Sequence, residues 1–515
     1  MKVLAATLFI FATSIGPAIT FAELLESETA VIGVVEVLLA SAVSGGIFSI
    51  FSGQPLVILG VTGPVTILTI AIYGTAKSMG VNFLPFYAWS QIWAAIMHML
   101  LAAFNCCDYI VYVTRFSCET FGVLIALIYL YTGISGVVSY FGEDDFSDAL
   151  MQLLLAFGTV YLASILSGAR DWKVTTAPVR ELVADYGPTF ALVLWAGISY
   201  IGRAGETNVP RLDVPRKFEP TEEGRSWFVD LGDIEVWAAI VAIVPGMIIT
   251  VLFVFDHNVS SLMAQGEELR LRKGSAFHLD FFVLGFCILL TGLLGIPPCN
   301  GLIPQAPLHT KALSVTAEKE VNGVKIRGIE KVYEQRYTNL TQACMTLAFC
   351  FNPFLKVIGC IPQSSLDGLF IFMGIASFDG NSFFDRMVLM VTEPRLRESH
   401  HDFFQTIGFG TIQRFTVLQL ACCLIIFGIT LTPAAMIFPL LIAALVTIRL
   451  FLLPAYFRPA ELDALDKLDI AATRRTMTKT QSQMGLIDDA SEGVPEPVDE
   501  EFNGGLELVG NAPTI

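Results

Sequence analysis

Charged residues are scarce in this sequence of 515 residues. Asp, Glu, Lys and Arg together make up 15% of it, whereas 54% of the residues are apolar. An ordinary soluble domain carries about 25% charged residues. The charges that are present leave a formal net charge of −16, and nucleic-acid binding requires a basic face. The composition therefore excludes a soluble enzyme domain and a nucleic-acid-binding protein, and it indicates a polytopic protein of the lipid bilayer.

Motifs typical of enzymes and metal sites are also missing. The chain contains no nucleophile elbow, P-loop, HExxH motif or dinucleotide fingerprint. Its ten cysteines form no CxxC pair and no cluster with the spacing of zinc ligands. We therefore expect no enzymatic activity, no metal site and no cofactor.

Long apolar segments are abundant. A membrane-spanning helix needs about 20 mostly apolar residues, and thirteen stretches approach this description. They lie near 1–22, 30–51, 55–73, 83–104, 116–140, 149–168, 187–202, 236–255, 276–296, 338–361, 366–378, 412–431 and 433–454. A fourteenth is expected at 302–315, where prolines and polar residues mask it. A secretory signal is the less favoured alternative for the first segment, because another span follows it directly.

The polar stretch 203–235 divides these segments into seven and seven. We therefore predict an all-α membrane protein with a first repeat in 1–202, an extracellular loop at 203–235, a second repeat in 236–454 and an acidic, largely disordered cytoplasmic tail at 455–515. Because seven is an odd number, the second repeat must enter the membrane from the opposite side. The sequence thus predicts fourteen transmembrane segments in an inverted repeat.

Charges in the short loops predict the orientation of the chain. The loops at 23–28 and 143–148 carry acidic residues and no base, so we expect them outside. The loops that carry Arg115 and Arg170 are expected in the cytoplasm. With fourteen segments, both termini are then cytoplasmic.

The third segment of each half is interrupted by glycine and proline. It begins GVTGPVT at 60–66 in the first half and GIPPCNGLIPQAP at 295–307 in the second. A matched pair of interrupted segments indicates the binding site of a secondary transporter. Helices that start inside the membrane present free N–H groups and a partial positive charge, so they favour a small anionic or hydroxylated substrate. The alternative is a pair of proline-kinked helices that bind nothing. The candidate residues are Thr62, Gly63, Val65, Gly301, Leu302, Ile303 and Gln305.

Polar residues inside the spans form a second signal. Asp256 opens the run DHNVSS near the inner end of the eighth segment and shares a helix face with Ser260. A charge at the bilayer centre costs about 3 kcal/mol, so Asp256 is a candidate for contact with substrate or with a coupling proton. The alternative is a helix-end residue at the cytoplasmic interface. We expect Glu36 to brace the neighbouring interrupted segment and His98 to be a buried histidine with its hydrogen bonds satisfied.

Several ordered motifs now identify a family resemblance. The runs SIGPAITFAELL, GQPLVILGVTGPVTI, FDHNVSSL and GIPPCNGLIPQAPLHTKAL resemble the bicarbonate-transporter superfamily, and most of all the borate exporters of plants and fungi. The resemblance covers about residues 1–470. It implies a core domain of segments 1–4 and 8–11, a gate domain of segments 5–7 and 12–14, and two half-helices, the third and tenth segments, that meet at mid-membrane. It also implies a homodimer formed through the gate domain.

The resemblance also assigns roles to residues. Pro17, Thr20 and Phe21 fall on the strip of the first segment that lines the substrate site. Asp256 falls where the anion exchangers carry an acidic residue tied to proton-coupled transport. Gln305 replaces the arginine of the erythrocyte-type exchangers, which favours a neutral or proton-coupled polyhydroxy substrate over chloride and bicarbonate.

These observations lead to one hypothesis and two alternatives. We expect a secondary active transporter that exports borate by alternating access, coupled to protons or to an anion gradient. The first alternative is an exchanger of bicarbonate or another inorganic anion. The second is a transport-inactive membrane scaffold that works through its acidic tail. The expected location is the plasma membrane, with the vacuolar membrane as the alternative.

Overall fold

The chain folds mainly into helices. The computed structural model describes residues 2–108, 113–143, 145–265, 269, 271–274, 276–303, 305–321, 324–397 and 407–466. The helices are α1 Lys2–Thr29, α2 Val34–Phe51, α3 Gly63–Met79, α4 Phe83–Ala103, α5 Arg115–Glu143, α6 Phe146–Ser167, α7 Ala177–Ile198, α8 Val236–Val241, α9 Ile243–Ala264, α10 Phe277–Leu294, α11 Gln305–Ala312, α12 Tyr337–Ala348, α13 Phe354–Ile358, α14 Gln363–Ala376, α15 Ser382–Val391, α16 Pro394–Arg397, α17 Phe409–Thr430, α18 Phe438–Thr447, α19 Leu453–Tyr456 and α20 Pro459–Asp466.

Nine helical segments within the described part of the chain are long and apolar enough to cross a membrane. They are Lys2–Thr29, Val34–Phe51, Phe83–Ala103, Arg115–Gly142, Phe146–Asp171, Val236–Ala264, Phe277–Leu294, Phe409–Thr430 and Ala435–Tyr456. The remaining five predicted segments coincide with α3, α7, α11, α12 and α14. These five are shorter or more polar, so the count of fourteen and the inverted repeat stay predictions.

The expectation of an all-α chain needs one correction, because two small antiparallel sheets are present. In the first, β1 (Leu59–Gly60) pairs with β2 (Asn300–Gly301). In the second, β3 (Ser314–Val321) pairs with β4 (Val324–Val332) as a hairpin. Glycine and proline prevent a helix in the segments around β1 and β2, and buried backbone groups without a helix must find partners elsewhere.

Two other predicted boundaries differ from the structure. The segment predicted at 338–361 is broken, since α12 ends at Ala348 and α13 begins after Pro353. Proline lacks the N–H group that would continue the helix. The predicted tail at 455–515 begins with a helix, α20, and the disordered stretch expected beyond it lies outside the described residues.

The long helices pack in two groups. In the first helix group, α4 packs against α9 and α10, and α2 packs against α10 and α12. In the second helix group, α5 packs against α14 and α17, and α6 packs against α7 and α14. Helix α1 lies between them, because it contacts α2, α3, α11 and α12 on one side and α7 and α14 on the other.

The stretch 203–235 is attached to both helix groups. Near its start, the backbone N–H of Leu212 donates to Ile361 O, and Pro210 O accepts from the N–H of Gln363. Farther along, Thr221 donates to Glu36 of α2, and Leu231 O accepts from the Trp89 indole of α4. This stretch is therefore a structured bridge across the two groups, although few of its residues are helical.

Candidate functional site

The two interrupted segments meet at the β1–β2 pair. Leu59 lies opposite Gly301, Gly60 lies opposite Asn300, and the N–H of Leu302 donates to Ile58 O at 2.8 Å. Helix α3 begins three residues after β1, and α11 begins four residues after β2. The short ladder therefore brings the starts of two helices from opposite halves of the sequence close together.

The first turn of α3 presents backbone donors that have no acceptor within their own helix. Thr62 precedes the helix in an extended conformation, and Pro64 occupies the first turn. The N–H groups of Gly63 and Val65 have no acceptor within the helix, because the first turn lacks preceding carbonyls and proline has no N–H. Within the described residues, the Thr62 hydroxyl is buried without a hydrogen-bond partner. A ligand oxygen would satisfy these groups.

The start of α11 presents an amide. The Gln305 side-chain nitrogen donates to Thr13 O of α1 at 3.2 Å. Its Oε1 atom is buried and finds no partner among the described residues. Leu302 and Ile303 are half-buried beside it, and Pro304 lies outside the described residues. Gln305 is thus tied to α1 and keeps one acceptor for another molecule.

Asp256 lies next to the β1–β2 pair. It is 2% exposed, and its Oδ2 atom accepts from Asn300 Nδ2 at 2.8 Å. The other amide atom of Asn300 accepts from the Gly301 N–H at 2.8 Å. One turn further along α9, Ser260 contacts Gly301, where a Cβ added to the glycine would lie 2.9 Å from the serine Cβ. The predicted shared face of Asp256 and Ser260 therefore points at β2.

The α1 residues of the predicted site have different surroundings. Pro17 is half-buried and lines a small cavity. Thr20 is fully buried, and its hydroxyl donates to Gly16 O of its own helix at 2.9 Å. The Phe21 ring lies in an aromatic group with Tyr129 of α5 and Phe370 of α14, at centroid distances of 5.9 and 6.0 Å.

The small cavity beside α1 has a volume of about 20 Å³. A space of this size holds about one water molecule, so a larger solute requires the helices to separate. Its walls come from α1, α2, the segment around β1, the start of α11 and α12, and no lysine or arginine is among the described residues that line it. The lining residues are Ser14, Ile15, Pro17, Ala18, Ser41, Leu59, Gly60, Val61, Leu302, Gln305, Gln342 and Thr346.

The predicted site residues therefore fall into two neighbouring clusters. Pro17, Leu302 and Gln305 share the cavity, whereas Asp256, Gly301 and Gly63 do not line it. The ladder between β1 and β2 connects the clusters. Val65 is buried in the first turn of α3.

Sequence reasoning missed two side chains that contact the second cluster. The Asn300 side chain forms hydrogen bonds with both Asp256 and Gly301. Its position immediately before Gly301 was the sequence signal that could have identified it. Tyr129 reaches Gly63 from α5. No local pattern marks Tyr129, because its role depends on a contact between helices that are distant in sequence.

Two further expectations are changed by the structure. Among the described residues, the hydrogen-bond and ion-pair partners of Glu36 lie outside the neighbouring interrupted segment. Glu36 accepts from the N–H of Gly33 at the start of its own helix and from Thr221 of the long loop, and it pairs with Arg225. His98 is fully buried with Nδ1 against Ala94 O, but its Nε2 atom has no partner in the described part of the chain.

Comparisons with known proteins agree with this architecture. A family described as the HCO3⁻ transporter integral membrane domain matches residues 1–149 and 145–470. The chain is 34% identical to probable boron transporter 3 of Arabidopsis thaliana, over 90% of this chain and 77% of that protein. It is 33% identical to boron transporter 1 of Saccharomyces cerevisiae, over 87% of this chain and 78% of that protein.

A solved structure has a similar fold. The transmembrane domain of the cyanobacterial bicarbonate transporter BicA matches with a TM-score of 0.53 and 15% sequence identity. The match covers 82% of this chain and 96% of that one. This likeness supports a membrane-transporter fold built from many apolar helices.

Proposed function

The chain belongs to the family of HCO3⁻ transporter integral membrane domains, and on this basis we propose that it exports boric acid or borate across the membrane by alternating access. The relatives named as boron transporters match about nine-tenths of the chain. The structural observation that carries the choice of substrate is the start of α11. There a neutral amide, Gln305, keeps an unpartnered acceptor within the described residues.

The chemistry of the site fits this class of substrate. Boric acid and borate present several hydroxyl groups that both donate and accept hydrogen bonds. The first turn of α3 offers backbone donors, Gln305 offers an acceptor, and the buried hydroxyls of Thr62 and Ser260 offer both. Such an arrangement binds a neutral or singly charged oxyacid without a fixed positive charge.

The proposed transport cycle requires relative movement of the two helix groups. The first group contains α9, against which α3 and α11 pack. From the second group, Tyr129 of α5 reaches Gly63 at the start of α3 and packs against Phe370 of α14. The cavity of about 20 Å³ is too small for the substrate, which supports a closed state that opens toward either side in turn. In this proposal, the first group is the core domain and the second is the gate domain.

The alternative substrate is bicarbonate or another inorganic anion. The description of the family and the BicA fold both favour it. The same helix starts would bind a carboxylate-like oxygen anion. The described residues that line the cavity include no lysine or arginine. This favours borate, because a fixed cation would stabilise a permanent anion more strongly.

The protein's assembly and placement form part of the proposal. We propose a homodimer formed through the gate domain, and α6 exposes the large apolar side chains of Phe157 and Tyr161 on that side. We also propose a plasma-membrane location with fourteen segments and both termini in the cytoplasm, with the vacuolar membrane as the alternative.

Proton coupling is assigned to Asp256, and this gives the first prediction. Coupling between two ligands typically changes affinity by about 5–150-fold, so Asp256→Asn should lower uphill borate flux by about tenfold or more. The amide keeps an oxygen that accepts from Asn300, so the fold should persist. The measurement is uptake of borate, bicarbonate and chloride by proteoliposomes at two pH gradients.

A matched control is Asp280→Asn, which replaces another buried carboxylate whose Oδ1 atom accepts from the backbone of Gly53 and Gln54. This variant should keep the dependence of flux on the pH gradient. If Asp256→Asn still exports borate against a gradient, Asp256 takes no part in the coupling mechanism. Bicarbonate or chloride flux without borate flux in the wild type would establish the alternative substrate.

A further inference from the structure

Tyr129 connects the two helix groups at the substrate site. It belongs to α5, and its ring lies 5.9 Å from the Phe21 ring and 6.0 Å from the Phe370 ring. From this position the side chain reaches the first residue of α3. A Cβ placed on Gly63 would lie 2.5 Å from the Cε1 atom of Tyr129. Glycine is therefore the residue that lets the tyrosine approach the helix start so closely.

The Tyr129 hydroxyl lies beside the first residue of α3. A Cβ placed on Gly63 would overlap the phenolic oxygen. Thr62, which precedes the helix, is only 9% exposed, and its hydroxyl has no partner among the described residues. The start of α3 thus combines N–H groups without an acceptor in their own helix, an unsatisfied buried hydroxyl and a phenolic oxygen supplied by the other helix group.

The phenol group has the hydrogen-bonding capacity of a B–OH group. Each can donate one hydrogen bond and accept others. The first N–H of α3 cannot be fully satisfied by two oxygens at the same time, so a substrate oxygen and the tyrosine compete for it. Moving the tyrosine away disturbs its packing against Phe21 of α1 and Phe370 of α14.

We propose that the Tyr129 hydroxyl occupies the borate site when no substrate is bound, and that the substrate must displace this hydroxyl from the start of α3. Tyr129 is accordingly a specificity-determining residue, and its displacement links substrate entry to the separation of the helix groups. The proposal rests on the proposed function, since it assumes that the start of α3 binds a hydroxylated oxyacid.

Tyr129→Phe tests the competition, because it removes the hydroxyl and keeps the ring contacts. One hydrogen bond contributes a factor of a few to about tenfold in affinity. Binding of boric acid to purified Tyr129→Phe protein should therefore be tighter than binding to wild type by up to about tenfold, measured by titration calorimetry. Damage to the site would weaken binding, so the sign of the change separates competition from a structural role.

Tyr131→Phe is the matched control. Tyr131 lies on the same helix, is 51% exposed and packs its ring against Phe427, so loss of its hydroxyl should leave the affinity unchanged. Unchanged or weaker binding by Tyr129→Phe would overturn the proposal. If wild type itself binds no boric acid, the proposed function fails instead.

A second measurement covers the case in which the variant does not fold. The ultraviolet difference spectrum of wild-type protein should show a tyrosine band on addition of boric acid, because the phenol leaves the start of α3. Bound boric acid without a tyrosine band in the wild type would contradict the displacement of Tyr129.

Discussion

At the scale of single residues, Gly301 and Asp256 show how tightly the site is packed. The Gly301 backbone lies against Ser260 and His257 of α9, so the position has no space for a side chain. Asp256 is held by Asn300, which directly precedes Gly301 in the chain. Any change at Gly301 therefore acts on both the strand and the helix that carries the proposed coupling residue.

Gly301→Ala should damage transport through this contact. The added methyl group would lie 2.9 Å from Ser260 Cβ and Oγ, and overpacking of this kind typically costs about 1–3 kcal/mol. We expect a lower melting temperature and lower borate flux. Ser260→Gly removes the two closest contacting atoms, so the double variant should regain part of the melting temperature despite the added cost of glycine in a helix.

Gly74→Ala is the control for this prediction. Gly74 lies in α3, and a Cβ there meets nothing within 4 Å. Alanine should therefore be neutral or slightly stabilising at this helical position. If Gly301→Ala keeps wild-type flux, the contact between β2 and α9 accommodates a methyl group, and the prediction is wrong.

At the scale of elements, polar side chains fix the segments that a helix does not continue. The stretch before β1 is held by His309, whose Nδ1 lies 2.8 Å from Leu56 O, and by Asn339, which donates to Val57 O at 2.9 Å. Both side chains come from the second half of the sequence. The geometry of β1, and with it the start of α3, therefore depends on α11 and α12.

The buried pair of Glu36 and Arg225 fixes the position of the long loop at 203–235 in the same way. Their side chains are 0% and 3% exposed, and Arg225 also donates to the carbonyls of Val31, Leu294 and Gly295. These bonds join the ends of α1 and α10 to the stretch 203–235. The charge pair thus attaches the loop to the first helix group.

Arg225→Ala should destabilise the protein strongly. Removing one partner of a buried ion pair typically costs about 3–5 kcal/mol, because the remaining charge and the carbonyls stay desolvated. We expect a large decrease in melting temperature in detergent. The control is Arg216→Ala at an exposed position of the same loop, where the change should be within about 0.5 kcal/mol. Equal effects of the two variants would rule out a special role for the pair.

At the scale of the whole molecule, the loop at 203–235 crosses between two helix groups that are proposed to move. Its start is bonded to Ile361 and Gln363, next to and within α14, and its later part is bonded to α2 and α4. The part of the loop from Leu212 to Thr221 is short, so it resists separation of its two attachment points. The loop should therefore restrain the proposed transport cycle.

Insertion of a flexible Gly/Ser segment between Glu219 and Pro220 tests this restraint. Doubling a loop costs only about 0.6 kcal/mol, so stability should change little, whereas maximal borate flux should rise. The same insertion between Lys173 and Val174, which connects α6 and α7 within one group, is the control and should leave flux unchanged. Unaltered flux in the first variant would show that the loop does not limit the movement.

The sequence by itself determined the class of the protein and the positions of most helices. Apolar length and scarce charge define a membrane helix locally, and the Gly–Pro breaks at 60–66 and 295–307 mark the two segments where helices must begin anew. The same local rules located Asp256, Gly301 and Gln305 as candidates. These features need no knowledge of distant contacts.

Only the tertiary structure decided which distant groups meet. The pairing of Leu59 with Gly301, the bond from Asn300 to Asp256, the binding of Glu36 to the long loop and the approach of Tyr129 to Gly63 all join residues from different elements. Each contact satisfies a buried polar group or fills space left by a glycine, and many sequence partners could do so. The choice among them is made by packing of the whole chain, because burial is a property of the assembled helices and not of any one segment.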